Sequence, residues 1–515
     1  MLRTTKGIAS YARSAALAVG FYLLTCGAQA LTFAADVASR AAPTAGQAKG
    51  QYVGFIKCGL CHDRRPQEQG ASLAESEPVF TNFVSLTEYR TWFSKDKHAK
   101  AFQVLSNDLS ARMRNLLGYD VRRDPRCLSC HATLHNGQPP PLVELALGVT
   151  CEGCHGPASG WLLSHTDPPW RTLSSGEKQQ QGMTDVRDPV IKARLCLSCH
   201  VGNASEGKVV SHEMYAAGHP PLPGVEIETH LRKMPAHWIS LGDKPESIRS
   251  ALGYDAKEMY RTKSVVLGGV LALREFLSLI AARSPAKAQD SWPDFALYDC
   301  YSCHHDIPEL KDQKGQSIAS VRQQRGYKGV AGALQFPDWP KALVKMAIFH
   351  TTRDGAAYRK KSREFADKLR DVWSAHRARS SGNDGKPVQP SARDKVMSDL
   401  IDWLNRLAQD VAASRFDRSS TVRLAQRLAV LQEADDPDSM ALPDYSTARQ
   451  IAWALDSLYK DFKPANERER EIDNMLSRIK SVVDLELPGK RQAVENYHPK
   501  VFRDQVARLL ELLQP

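Results

Sequence analysis

The sequence predicts a mainly α protein in two parts: a loop-rich N-terminal region carrying a repeated cysteine–histidine motif, then an all-α, bundle-like domain. Three observations predict it. Ten of the eleven cysteines fall into five C-x-x-C-H units, the last ending at His304. Strand signals are scarce between those units, where Gly and Pro loops are frequent. Beyond Trp339, apolar residues recur at helical spacing. The bulk is ordinary for a globular chain, with 42% hydrophobic and 25% charged residues among 515.

At the N-terminus, Arg3, Lys6 and Arg13 precede an apolar stretch from Ala15 to Leu24 and an A-x-A site at Ala28–Ala30. Residues 1–30 therefore read as a secretory signal peptide, too short in its apolar part for a span of about 20 residues. Leu23-Leu24-Thr25-Cys26 faintly resembles a lipidation site, so membrane attachment is expected only if Cys26 is lipidated. Residues 31–51 are small and polar, a linker. The motif-bearing domain spans 52–310, residues 311–338 form a polar and basic loop, and 339–515 make the helical domain.

The motifs are Cys58/Cys61/His62, Cys127/Cys130/His131, Cys151/Cys154/His155, Cys196/Cys199/His200 and Cys300/Cys303/His304. Chance would supply roughly 0.01 such units in a chain of this composition. Two thiols three positions apart reach the two vinyl groups of one haem, and the following imidazole becomes the proximal iron ligand. Five covalently attached haems c are thus expected. Zinc ribbons do not require His after every pair, and disulfides closing two-residue loops would be strained. The formal charge of +11 is largely cancelled by the roughly ten propionate charges of five haems. With no run of five like charges, nucleic acid is excluded as a partner.

Eleven histidines remain, and low-spin haems take a second axial ligand. His98, His165, His212 and His219 are the candidates favoured by their helical or Pro-fixed surroundings; His237 and His305 are weaker ones. His135 and His230 have no supporting context. His350, His376 and His498 lie beyond the motif region and read as structural. Ser264 to Ala282 reads as a helix, buried rather than membrane-spanning because Arg274 and Glu275 interrupt its apolar run. In the C-terminal domain, Val396, Leu400, Leu404, Leu407 and Val411 share one helical face, as do Ile472, Met475, Ile479 and Val482. About five or six helices are expected there. They serve for packing or, alternatively, for docking a redox partner.

Between Gly54 and Gly202 the order of motifs resembles the cytochrome c-554 family of multihaem cytochromes. The resemblance rests on the first motif, His98-Ala99-Lys100-Ala101, the second motif, Gly148-Val149-Thr150-Cys151 through Gly156-Pro157 to His165, and the fourth motif. It implies stacked haem pairs in a helical shell, with His98 and His165 as distal ligands to haems other than their sequence neighbours. It also implies that the haem on His131 is open. The His212/His219 segment, the fifth motif and the C-terminal extension depart from the four-haem pattern, so this chain looks like a larger relative.

The expected function is electron transfer between redox partner proteins in the periplasm, through closely packed haems. The alternative is a redox enzyme acting on a small inorganic substrate (nitric oxide, hydroxylamine, nitrite or peroxide) at an open haem on His131. No lysine-ligated motif of the pentahaem nitrite reductases is present, and no output domain supports a sensor.

Overall fold

The computed structural model describes residues 50–63, 83–282, 294–300, 303–304, 334–352, 354–377, 390–430, 443–462, 468–483 and 496–513. The expected signal peptide, Cys26, nearly all of the expected 31–51 linker, His305 and most of the expected 311–338 loop lie outside these residues. The fold is mainly α: among the described residues every regular element is helical, with only two isolated β-bridges, His135 to Gln138 and Asn203 to Lys208.

The axis of the structure is the 23-residue helix Tyr260–Ala282. By length and composition it could cross a membrane, yet 72% of its apolar window is buried in protein. It packs against the helices Pro189–His200, Val344–Thr351, Pro390–Ala413 and Tyr445–Phe462. The close approach is built on Gly269, where a Cβ would lie 2.4 Å from Leu343 Cβ. Its first turn is held from another element: Asp461 accepts from the Thr262 backbone N–H (2.8 Å) and hydroxyl (3.0 Å). That gives a partner to one of the N–H groups a helix start leaves unpaired. Glu275, which speaks against a membrane span in the sequence, accepts from Arg194 of the Pro189–His200 helix at 3.2 Å.

One apolar core runs from Ala193 and Leu197 through this helix to Leu509 and Leu513. The C-terminal helices Gly355–Arg377, Pro390–Ala413, Arg418–Val430, Tyr445–Phe462, Arg468–Val483 and Pro499–Leu512 all join it. The central helix, placed by sequence with the motif region, is thus also the spine of the C-terminal bundle. The rest of the motif region has only small apolar clusters, one around Met113, Leu128 and Leu145, another around Ala158, Trp161 and Trp170.

Candidate functional site

Four of the motifs occupy the end of a short helix that stops at the motif histidine: Phe55–His62, Pro125–His131, Cys151–His155 and Pro189–His200. On a helix, positions i, i+3 and i+4 share one face, so each such ending turns two thiols and an imidazole the same way. Two of these helices start on Asp-Pro. Asp124 caps Arg126 N–H, and Asp188 caps Val190 and Ile191 N–H, with proline at the first helical position. None of the ten motif cysteines is in a disulfide.

The ten thiols are not equally enclosed, a difference that their identical spacing hides. Seven are half-buried, but Cys61 of the first motif is exposed, and so are Cys300 and Cys303 of the fifth, with His304. At Cys61 the polypeptide therefore does not wall the thiol in. The reason lies in its helix. Phe55–His62 buries only Phe55 against protein, which leaves Leu60 and Cys61 on the outer side of its last turn. Cys58, one turn earlier on the same face, is partly covered and touches Cys151. A thioether is a covalent bond and needs no protein pocket around its sulfur, so an exposed Cys61 remains a usable attachment point.

The third motif is stapled into place by its own intervening residues. Glu152, buried, accepts from the backbone N–H of Val53 (3.0 Å), Gly54 (2.9 Å) and Ala158 (2.8 Å). A Cβ on Gly153 would lie 2.5 Å from Thr133 Oγ1, so only glycine fits beside the chain that leaves the second motif.

The histidines come together in pairs. The rings of His62 and His165 have centroids 6.3 Å apart, those of His98 and His200 6.4 Å, and those of His131 and His219 6.5 Å. A first-row metal sits about 2.0–2.1 Å from an imidazole nitrogen, and that nitrogen about 1.1 Å from its ring centre, so two imidazoles on one metal are about 6.3 Å apart. All three pairs have that spacing. His237 lies near enough to His155 to influence it electrostatically. His212 packs its ring on Phe295 (5.8 Å), and its backbone N–H donates to Asp294, so it sits at the entry to the fifth motif.

The remaining histidines are placed otherwise. His230 is 5.5 Å from the His200 ring, closer than two ligands of one iron stand, and 5.7 Å from Trp453. His135 stacks on Tyr52 and donates to Glu144. His350 stacks on Phe416, His376 bonds the Tyr298 hydroxyl at 2.8 Å, and His498 precedes the last helix.

The second ring nitrogens divide the paired histidines into two classes. His62 Nδ1 donates to Glu88 Oε2 and His98 Nδ1 to Asp96 Oδ1, both at 2.9 Å. His131, His165, His219 and His237 donate instead to the carbonyls of Ala101, Leu162, Pro220 and Pro235. In each case Nε2 is left for a metal. Glu88 and Asp96 escape a sequence reading aimed at cysteine and histidine; Asp96, two positions before His98, carried the only local signal. Burial pushes the carboxyl of Asp96 up, but hydrogen bonds from the His98 side chain and backbone leave it below the usual range. Burial lowers His155 to about 4 and His200 to about 3, which favours the neutral imidazole that binds metal.

Thiols of different motifs also meet: Cys58 lies in hydrogen-bond contact with Cys151, and Cys130 with Cys199. His155 Nδ1 is buried with no hydrogen-bond partner. Of thirteen exposed large apolar side chains among the described residues, twelve precede Cys300, among them Ile56, Leu60, Phe93, Leu116 and Leu163. Apolar surface beside the motifs, free thiols and ring pairs at metal-bridging distance together fit haem c. No three His, Cys, Asp or Glu converge as a metal cluster among the described residues.

Residues 57–156 match the family model for cytochrome c554 and c-prime. The match takes in the first three motifs with His98 and Glu152, and identifies a c-type cytochrome with covalently bound haem c, involved in electron transfer. No curated protein and no solved structure matches the chain. With haem bound, the paired histidines would supply axial nitrogens and Glu88, Asp96 and the backbone carbonyls would orient them, while the haem would supply the one-electron couple.

Proposed function

We propose that the protein is a five-haem periplasmic cytochrome that relays electrons between redox partner proteins through haems held in two close pairs. The observation that carries this reading is the set of three ring pairs at 6.3, 6.4 and 6.5 Å. On this reading His165 completes the iron of His62, His98 that of His200, His219 that of His131 and His237 that of His155. His98 and His165 then ligate haems remote from their sequence neighbours. Contact between Cys58 and Cys151, and between Cys130 and Cys199, brings the first haem beside the third and the second beside the fourth.

The helix His212–Ala217 and the following His219 connect the pairs to the fifth haem. His219 faces the second motif, while His212 touches Phe295 and Tyr215 lies near Cys300. His212 is accordingly the proposed distal ligand of the haem on His304. The position of His219 argues for a six-coordinate iron on His131, where the family resemblance implies an open one. This favours relay over chemistry at that haem.

The test is low-temperature electron paramagnetic resonance on the mature protein, with haem number counted by intact mass. Five haems and low-spin signals for the first four support the relay. A high-spin iron assigned to His131 by its loss in a Cys127→Ser/Cys130→Ser variant, together with nitric oxide binding at that iron, would replace it with the enzymatic alternative. Fractionation with and without residues 1–30 tests export.

A further inference from the structure

We propose that Lys178, Arg187 and Lys244 form a built-in counter-charge site for the propionates of the haems on the first and third motifs. The inference rests on the five-haem reading above.

Lys178 is 3% exposed; its Nζ lies 5.4 Å from the centre of the Trp170 ring, and the carboxylate of Asp185 is near enough to attract it. Lys244 Nζ lies 4.1 Å above Phe83 and donates to the Phe83 carbonyl at 2.6 Å. Arg171, also buried, approaches the same ring at 5.6 Å. Arg187 donates to Asp185 at 2.6 Å and to the Leu173 carbonyl at 3.0 Å. Lys178, Arg187 and Lys244 lie close enough to repel one another. The carboxylate in their midst, Asp185, accepts from Arg187 through both oxygens. Burial, reinforced by the charge of Arg187, holds the Lys178 ammonium down at about 8.

Asp185 offsets only one of the three positive charges of Lys178, Arg187 and Lys244, and an excess of largely buried positive charge is costly. The cluster therefore calls for an anion. Its place supplies one. Thr184 N–H, next to Asp185, donates to the His155 carbonyl at 2.9 Å, and Asp185 acts on His155 electrostatically. On the other side Lys244 feels Glu88, the carboxylate that holds His62. The cations thus stand between the first and third motifs, whose haems each bring two carboxylates. Trp170 and Phe83 give those carboxylates an apolar floor, where a charge pair is stronger than in water.

The test uses the haem-loaded full chain. Lys178→Met keeps the packing on Trp170 and removes the charge; Lys178→Arg restores it. Midpoint potentials are measured across the neutral pH range. In the Met variant one haem of the pair is expected to fall by about 59 mV, tenfold for a one-electron couple, because an uncompensated propionate stabilises ferric iron. Its potential also becomes pH-dependent, rising as the freed propionate gains a proton on acidification. Lys244→Met should act in the same direction, and Lys178→Arg should leave both features as in the parent. Unchanged potentials, or a fall equal at every pH, would overturn the propionate assignment. So would parent potentials that shift with inorganic phosphate only when Lys178 is present, since the site would then take a dissolved anion. Absence of haem from the first or third motif, read by peptide mass, is a failure of the five-haem reading instead.

Discussion

The motif region and the C-terminal bundle bury their apolar residues in different ways. In the bundle, helices of 8 to 24 residues close on one another around the central helix, and of the exposed large apolar side chains among the described residues only Val501, and Tyr260 at the start of the central helix, belong to it. Before residue 260 the α-helices have 4 to 12 residues, the separate cores are small, and apolar side chains stand beside the motifs. Helices this short are not stable alone and draw their stability from what they pack on. The lesson is that in one region the core is protein and in the other much of it is prosthetic group. Covalent attachment permits this, since a thioether holds a porphyrin without a deep protein pocket.

The contrast breaks most visibly if attachment is prevented. The chain produced without cytochrome maturation should lose ordered structure over residues 50–188 while the bundle and the central helix keep theirs. Hydrogen exchange read by peptide should show protection confined to the Pro189–His200 helix, the central helix and the C-terminal helices. Uniform protection along the chain would mean that the motif region owns a sufficient core. The reverse experiment is Leu267→Ala. Leu267 is fully buried in the central helix, and such truncations cost about 2–5 kcal/mol. Because that helix contacts both the Pro189–His200 motif helix and the bundle, the loss should appear in the chemical denaturation of both, monitored by haem absorbance and by far-UV circular dichroism.

The two regions were also unequally legible in sequence. Helical periodicity at Val396–Val411 and Ile472–Val482 announced the bundle, because a buried helix face imposes its period on the residues that fill it. The C-x-x-C-H spacing announced the attachment sites, because thioether geometry fixes it. That spacing says nothing of enclosure: Cys61 and Cys58 read alike, yet one is exposed and the other is covered by Cys151. Nor can periodicity carry which histidine meets which motif. His165 finds His62 across a hundred residues, and His98 finds His200 across a similar distance, through loops whose course is set by Glu152, Gly153 and the Asp-Pro caps. His237, weak by local context, comes near His155. The central helix was legible as buried, from Arg274 and Glu275, but its membership of the bundle depends on long-range packing at Gly269 and Leu343. Glu88 and Asp96 were invisible for a different reason: a carboxylate orienting a ligand has no spacing rule of its own.

Within the motif region a smaller test concerns one iron. Replacing His219 by Ala should leave four haems unchanged and open the one on His131, because His131 keeps its Nδ1 bond to the Ala101 carbonyl while losing the ring opposite. About a fifth of the haem should then turn high-spin and bind carbon monoxide when reduced, a change absent from His135→Ala. If His219→Ala leaves spectrum and gas binding untouched, the pairing is wrong.

The finest distinction is between ligand histidines held by carboxylates and those held by carbonyls. A carboxylate accepting from Nδ1 makes the imidazole more basic and favours ferric iron. Asp96→Asn should therefore raise the potential of the haem on His200 and leave that on His131, whose ligands donate to Ala101 and Pro220 carbonyls, where it was. The pH dependence follows from the sign of the shift. Asp96 is depressed by its bonds to His98, so it stays ionised through the neutral range, and its effect is lost only as pH falls through that lowered value. The parent potential should be flat near neutrality and rise in acid, and the Asn variant should show no such acid limb. Redox titration of the two haems by variable-temperature magnetic circular dichroism separates them. Equal shifts of both would mean that Asp96 acts as a distant charge rather than through the His98 ring.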